Sequence, residues 1–210
     1  QIRLEPTEPG ALQQARDVLV DACAKDMFLA CGRLGNMLAL GVSVVEAPAI
    51  PLDPDPSAAL TYWRKACDGN VADACSALGQ KMLADGAEGV ALYTAQSFLQ
   101  KACNSDHADG CATLMEVLGD DARPEATEAG RRACELGRLD MCNRTAELLM
   151  TSGSEESFLG GIDILLDTCR QGFLGSCYLL SDQLRARPAA LAPDGPYETA
   201  ARVLLSTTCG

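Results

Sequence analysis

Apolar residues recur along this chain at the three- and four-residue spacing of helices, and the recurrence is punctuated at regular places. Leu60, Trp63 and Cys67 form one such stripe, which ends in the triplet Lys65-Ala66-Cys67. The same ending of a basic residue, an alanine and a cysteine returns as Lys101-Ala102-Cys103 and Arg132-Ala133-Cys134. Glycine follows at Gly69, Gly137 and Gly172, and glycine most readily takes the left-handed conformation that closes a helix. A second helix is expected two to five residues later. Asn70 with Asp73, and Asp106 with Asp109, stand at the spacing of an N-cap and an acidic third position. Inside that helix Leu34-Gly35 and Leu78-Gly79 set a leucine beside a glycine, and Gly79 would admit a close neighbouring helix. The pattern therefore predicts helical hairpins. The first helix is read over Ala11 to Ala24, after a lead-in from Gln1 to Gly10 that holds two prolines.

Cysteine spacing turns this local pattern into a repeat. Five pairs, Cys23 with Cys31, Cys67 with Cys75, Cys103 with Cys111, Cys134 with Cys142 and Cys169 with Cys177, are each eight residues apart. Their first members are separated by 44, 36, 31 and 35 residues, and Cys209 follows Cys169 by 40. That period is the one of helix-pair solenoids. Units are read near 11–41, 57–87, 92–119, 124–151 and 158–186, with a partial sixth at 196–210, and no composition break divides them, so one domain is expected over 1–210. The longest interruption is Val42 to Ser57, where prolines forbid a continuous helix. Its apolar half, Val42 to Leu52, is read as packing over the edge of the array, with presentation to a partner as the alternative. Ser152 to Gly161 and Arg187 to Pro196 are further connectors.

With these flanks, the C-x7-C units resemble the cysteine-rich form of the Sel-one-like repeat, a relative of the tetratricopeptide repeat. The form is known from the Helicobacter cysteine-rich proteins and from a mitochondrial respiratory-chain assembly factor. The resemblance runs from about Ala11 to Gly210, and its best stretch is Lys65 to Gly86. Leu114-Met115, Thr145-Ala146 and Leu180-Ser181 depart from the leucine-glycine pair, and Met141 stands where a small residue is usual. The resemblance implies an all-α fold, an α/α solenoid of about five repeats plus the start of a sixth.

Three chemistries compete for the cysteines. Zinc sites use C-x2-C or cysteine with histidine at short spacing, and the chain has neither in a convincing form. Redox catalysis would want C-x-x-C with a lowered thiol pKa, which is missing as well. A cysteine ending one helix and another in the first turns of its antiparallel partner can meet at bridging distance, so each pair is read as a disulfide stapling one hairpin. A closed loop of about nine residues is worth roughly 2.6 kcal/mol on the chain-entropy model, and five such loops on the order of 10 kcal/mol as an upper figure. Such dependence fits an oxidising compartment: the periplasm or cell exterior, or, by analogy with the mitochondrial relative, the intermembrane space. Cys209 is read as unpaired within the chain, the first cysteine of a sixth unit whose partner would lie eight residues on. A free or intermolecularly paired thiol is the other reading.

Charge and composition narrow the function classes. Seventeen Lys plus Arg against twenty-nine Asp plus Glu give a net charge of −12, which disfavours nucleic acid as a partner. Aromatics are only 4% against 48% hydrophobic residues, so the core is expected from Ala, Leu, Val, Met and Cys. No transmembrane run or signal peptide is visible. Arginine far outnumbers lysine and alanine is abundant, a composition pointing to a GC-rich bacterium.

In the tetratricopeptide fold, one helix of each repeat lines a concave groove. If the helix after each second cysteine does so here, the residue after the leucine-glycine pair points into the groove: Asn36, Gln80, Glu116, Glu147 and Asp182, a ladder that grows acidic toward the C-terminus. Ser76, Asn143 and Tyr178 form a neighbouring row. Together these are the candidate partner-binding residues, for a protein or peptide with basic residues. Asp73, Asp109 and Asp140 are read instead as helix N-terminal residues complementing the dipole. Trp63 is assigned to the core, Tyr62 is left open, and the single histidine, His107, is read as a surface turn residue. No catalytic residue, metal ligand or cofactor is assigned, since no nucleophile and base, haem-attachment signature or phosphate loop is visible. The expected function is that of an exported, disulfide-stapled interaction scaffold and not an enzyme. The Helicobacter relatives imply an alternative, β-lactam binding or weak hydrolysis, although no Ser-x-x-Lys motif is present. The mitochondrial relative implies another, redox or haem-linked assembly.

Overall fold

The computed structural model describes residues 11–40, 54–119 and 124–186. Ten helices occupy them, and no strand occurs among the described residues: α1 (Ala11–Ala24), α2 (Phe28–Leu40), α3 (Pro56–Asp68), α4 (Ala72–Ala84), α5 (Val90–Asn104), α6 (Ala108–Leu118), α7 (Pro124–Glu135), α8 (Leu139–Thr151), α9 (Glu155–Arg170) and α10 (Leu174–Ala186). They follow one another as five hairpins. Contacts group the chain into two compact units, residues 1–110 and 111–210. The interruption at 42–57 lies outside the described residues up to its last few positions, and Cys209 and the partial sixth repeat lie outside them altogether.

Local chemistry sets the helix starts. Asp55 Oδ1 accepts from the Ala58 N–H at 2.9 Å and Pro56 opens α3, a capped start with proline where its missing N–H costs nothing. Ser154 does the same for α9, accepting from the Ser157 N–H at 3.0 Å, with Glu155 and Glu156 in the first turn. Asp73, Asp109 and Asp140 all fall in first turns of their helices, the dipole positions expected for them.

Every hairpin turns in one way. The residue three after the first cysteine has positive φ: Asp26 (58°), Asn70 (62°), Asp106 (57°), Gly137 (96°) and Gly172 (89°). The next N–H reaches back five residues, Met27 to the Ala22 carbonyl, Val71 to Ala66, His107 to Ala102, Arg138 to Ala133 and Phe173 to Thr168, at 2.9 to 3.1 Å. This is a Schellman closure, and Asn, Asp and Gly tolerate its left-handed residue best. It corrects two sequence readings. Gly69 has φ −81° and is not the left-handed residue; Asn70 is. Gly69 is glycine for space, because a Cβ there would run into the Phe28 ring. Asn70 accordingly does not cap α4, whose N-cap is Val71, without a side-chain bond. Asp106 is likewise the left-handed residue, and His107 caps α6 by accepting from the Gly110 N–H at Nδ1, 2.9 Å away.

The turn brings the cysteines together. Cys23–Cys31, Cys67–Cys75, Cys134–Cys142 and Cys169–Cys177 are disulfides with Cα atoms 4.7 to 4.8 Å apart, inside the bridging range. Cys103 and Cys111 are disulfide-bonded too. The core lies between helices and is built of small and aliphatic side chains, as the aromatic-poor composition requires. Ala66, Ala102 and Ala133, each just before a first cysteine, are fully buried, and so are Leu34, Leu78 and Leu180, each three residues after a second cysteine. In the first unit α2 packs on α3 and α4 on α5; in the second α8 packs on α9.

Candidate functional site

At the third and fourth positions after the second cysteine of the first three hairpins, the helices meet through paired large and small residues. A Cβ on Gly35 would collide with the Trp63 indole, and one on Gly79 would lie 2.7 Å from Leu99 Cγ. Where Met115 replaces the glycine, the small residue moves to the facing helix: a Cβ on Gly130 would strike Met115 Sδ and Thr145 Oγ1. The leucine-methionine departure thus keeps the contact by exchanging sides. Trp63 is 7% exposed, the core residue it was read as, and its Nε1–H donates to Asn36 Oδ1 at 2.7 Å. Tyr62 is half-buried against the same cluster.

The ladder residue comes one position later. Asn36, Gln80, Glu116, Glu147 and Asp182 are all exposed, each on the second helix of its hairpin and at the same register. The first unit presents Asn36 and Gln80, and the second presents Glu116, Glu147 and Asp182. The Asn36 amide oxygen also holds a core side chain, the Trp63 indole. The neighbouring row divides. Ser76 is 2% exposed and its Oγ has no partner; Asn143 is half-buried and accepts from Ser176 Oγ at 2.5 Å, which in turn lies 2.7 Å from Thr168 Oγ1. Only Tyr178 of that row is exposed, at 76%. Ser76 and Asn143 therefore sit between hairpins, because a residue one past the second cysteine faces the cysteine end of the next hairpin.

Several arrangements escaped the sequence reading. Lys65 Nζ donates to the Cys23 carbonyl at 2.8 Å and pairs with Asp26 at 2.9 Å, and Lys101 Nζ donates to the Cys67 carbonyl at 2.5 Å. A cation from one hairpin thereby satisfies a helix C-terminus of the preceding hairpin. The repeated basic residue before Ala-Cys was the available signal. His107 Nε2 lies 3.2 Å from Asp73 Oδ1, so the imidazole links two helix N-termini and is a fastening, not a bare turn residue. Arg138 hydrogen-bonds Asp140 and holds its carboxyl below the usual 3.8. Beside α2, a cavity of about 530 Å³ is lined by Leu19, Met27, Phe28, Leu29, Arg33 and Val71. Its signal was Leu29, 69% exposed, standing where three other repeats carry an acidic residue.

Among the described residues no group of three or more His, Cys, Asp or Glu side chains could hold a metal ion, and no helix is long and apolar enough to cross a membrane. No protein-family model and no curated protein matches the chain. Solved structures do. A Sel1 repeat protein from Oxalobacter formigenes superposes with a TM-score of 0.63 at 18% identity, over 80% of this chain and 69% of that one. The fold is that of the Sel1-like repeat. A second such structure, c5321, a protective antigen present in uropathogenic Escherichia coli strains, has a TM-score of 0.58 at 22% identity over 80% of this chain. The chain spans 35% of that antigen's length. Sel1-like hairpins stapled by cysteine pairs suit an oxidising compartment, and repeats of this fold offer extended surfaces for other proteins.

Proposed function

We propose that the chain is a single repeat domain, exported to the periplasm or cell exterior, that binds a protein or peptide partner through its second-helix ladder. The observation that carries this reading is the common exposure of Asn36, Gln80, Glu116, Glu147 and Asp182 at one register of five stapled hairpins. A residue held on a helix, in a hairpin closed by a disulfide, is already ordered before binding, so little entropy is lost when a partner arrives. Glu116, Glu147 and Asp182 make the second unit's share of the ladder anionic, and the net charge of −12 has the same sign, so the partner is a segment with basic residues. The groove expected from the repeat resemblance would be lined by this row. Ser76 and Asn143 are left out of the proposed surface.

The test immobilises the oxidised chain and presents a periplasmic or extracellular fraction, then repeats the capture with Glu116→Gln, Glu147→Gln and Asp182→Asn combined. A partner held by the wild type, released by salt and lost from the triple variant supports the reading. Equal retention by the variant, or no retained protein, contradicts it.

A further inference from the structure

The cavity beside α2 has the size of a small-molecule site. Its volume of about 530 Å³ falls inside the range of roughly 300–1,000 Å³ typical of ligand pockets. Leu19, Met27, Phe28, Leu29, Ala30 and Val71 line it, and Arg33 is the one lining residue with a polar side chain. Met27 and Leu29 are 54% and 69% exposed, so part of the wall is apolar surface left uncovered.

Two positions set the first hairpin apart from the others. Two residues before the second cysteine stands Leu29, where the next three hairpins carry Asp73, Asp109 and Asp140. Two residues after it stands Arg33, and among the other hairpins only the fourth repeats this cation, as Arg144. There Asp140 precedes Arg144 by one helical turn, the spacing at which a carboxylate and a guanidinium meet on a helix. In the first hairpin a leucine has taken the acid's place, and Arg33 forms no ion pair among the described residues. The guanidinium lacks its carboxylate just where the helix has gained an apolar wall.

We propose that the first two hairpins bind a small aliphatic monocarboxylate, its tail against Phe28, Leu29 and Val71 and its carboxylate on Arg33. An arginine fork suits a carboxylate, and the rest of the lining asks nothing polar of the tail. An extended peptide would find no side-chain partner there for its main-chain N–H and C=O groups. The net charge of −12 sharpens the reading, because adsorption without a site would favour a cationic amphiphile. This inference does not rest on the partner-binding reading, since no ladder residue lines the cavity.

Isothermal titration of the full oxidised chain with monomeric decanoate tests it, with dodecanoate, decanol and decyltrimethylammonium as comparisons. The expected result is saturable binding of one decanoate per chain, stronger than that of the alcohol or the cation, and tightening about two- to fourfold per methylene toward dodecanoate. Arg33→Gln should weaken decanoate about two- to fivefold, the range of an exposed ion pair, and leave decanol unchanged. Leu29→Asp restores the acid of the other hairpins and should weaken decanoate at least about tenfold. Both side chains are exposed, and an unchanged thermal unfolding curve of each oxidised variant shows that the fold is kept. Absence of saturable binding, preference for the cation, or decanoate affinity that survives both variants each overturns the proposal. So does association with anionic phospholipid vesicles alone, which would make the patch a membrane contact.

Discussion

The contact between the first and second hairpins and the contact between the third and fourth solve one packing problem in opposite ways. In the first, Gly35 on the second helix receives Trp63 from the helix that follows; in the other, Met115 stands in the glycine's place and Gly130 receives it. The buried leucine one residue earlier, Leu34 or Leu114, is unchanged in kind and in burial. What the two contacts share is one large side chain set against a glycine, not the residue at one position. Close-packed interiors leave no room for two large side chains there, and a pattern written for one side reads the exchange as a departure.

The comparison is broken most severely at its largest side chain. Trp63→Ala empties the first contact and should cost about 3–5 kcal/mol, read by urea denaturation of the oxidised protein; a loss under about 1 kcal/mol would show that the indole is not a core element. The other contact can be overfilled and then relieved. Gly130→Ala should cost about 1–3 kcal/mol, and in a Met115→Ala background the same change should cost markedly less, with a coupling of about 0.5–3 kcal/mol. Gly35→Ala tested with Trp63→Leu is the mirrored cycle, and strictly additive losses in both would dismiss the volume argument. A smaller effect separates the fastening from the filling: Lys65→Met keeps the aliphatic stem but loses the bond to the Cys23 carbonyl, worth about 0.3–1 kcal/mol at this half-exposed site, and high salt should shrink the difference. The smallest belongs to Asp140. Its folded pKa is depressed by Arg138, so its contribution is present above the ordinary carboxylate range and is lost as pH falls through the folded value. Asp140→Asn should therefore lower stability slightly near neutrality, and the difference from the wild type should vanish as the solution is acidified.

Much of this was legible from cysteines alone. Five gaps of eight residues announced five hairpins, and the helices fall where the gaps placed them because a disulfide and a three-residue turn leave a hairpin few other shapes. Gly69 was misread because a glycine beside a helix end has two physical causes, positive φ and lack of room, and one sequence line cannot separate them. Aligning the turns would have helped: Asp26, Asn70, Asp106, Gly137 and Gly172 share a column that only left-handed-tolerant residues occupy. The ladder was placed by likeness to tetratricopeptide repeats, in which one helix of each repeat lines a groove, and its residues are exposed. The burial of Ser76 was not legible, since it depends on the next hairpin's approach, which periodicity within one helix does not encode. Lys65 and His107 act between hairpins for the same reason and were seen only as a motif edge and a lone imidazole.

The stapled hairpin underlies every other statement about this protein, so non-reducing peptide mapping of alkylated chain, expressed in an oxidising compartment, is the most direct measurement. The account predicts Cys23 linked to Cys31, Cys67 to Cys75, Cys103 to Cys111, Cys134 to Cys142 and Cys169 to Cys177, with no bridge between hairpins. Free thiols at several of these ten positions, or links that join one hairpin to another, would contradict it.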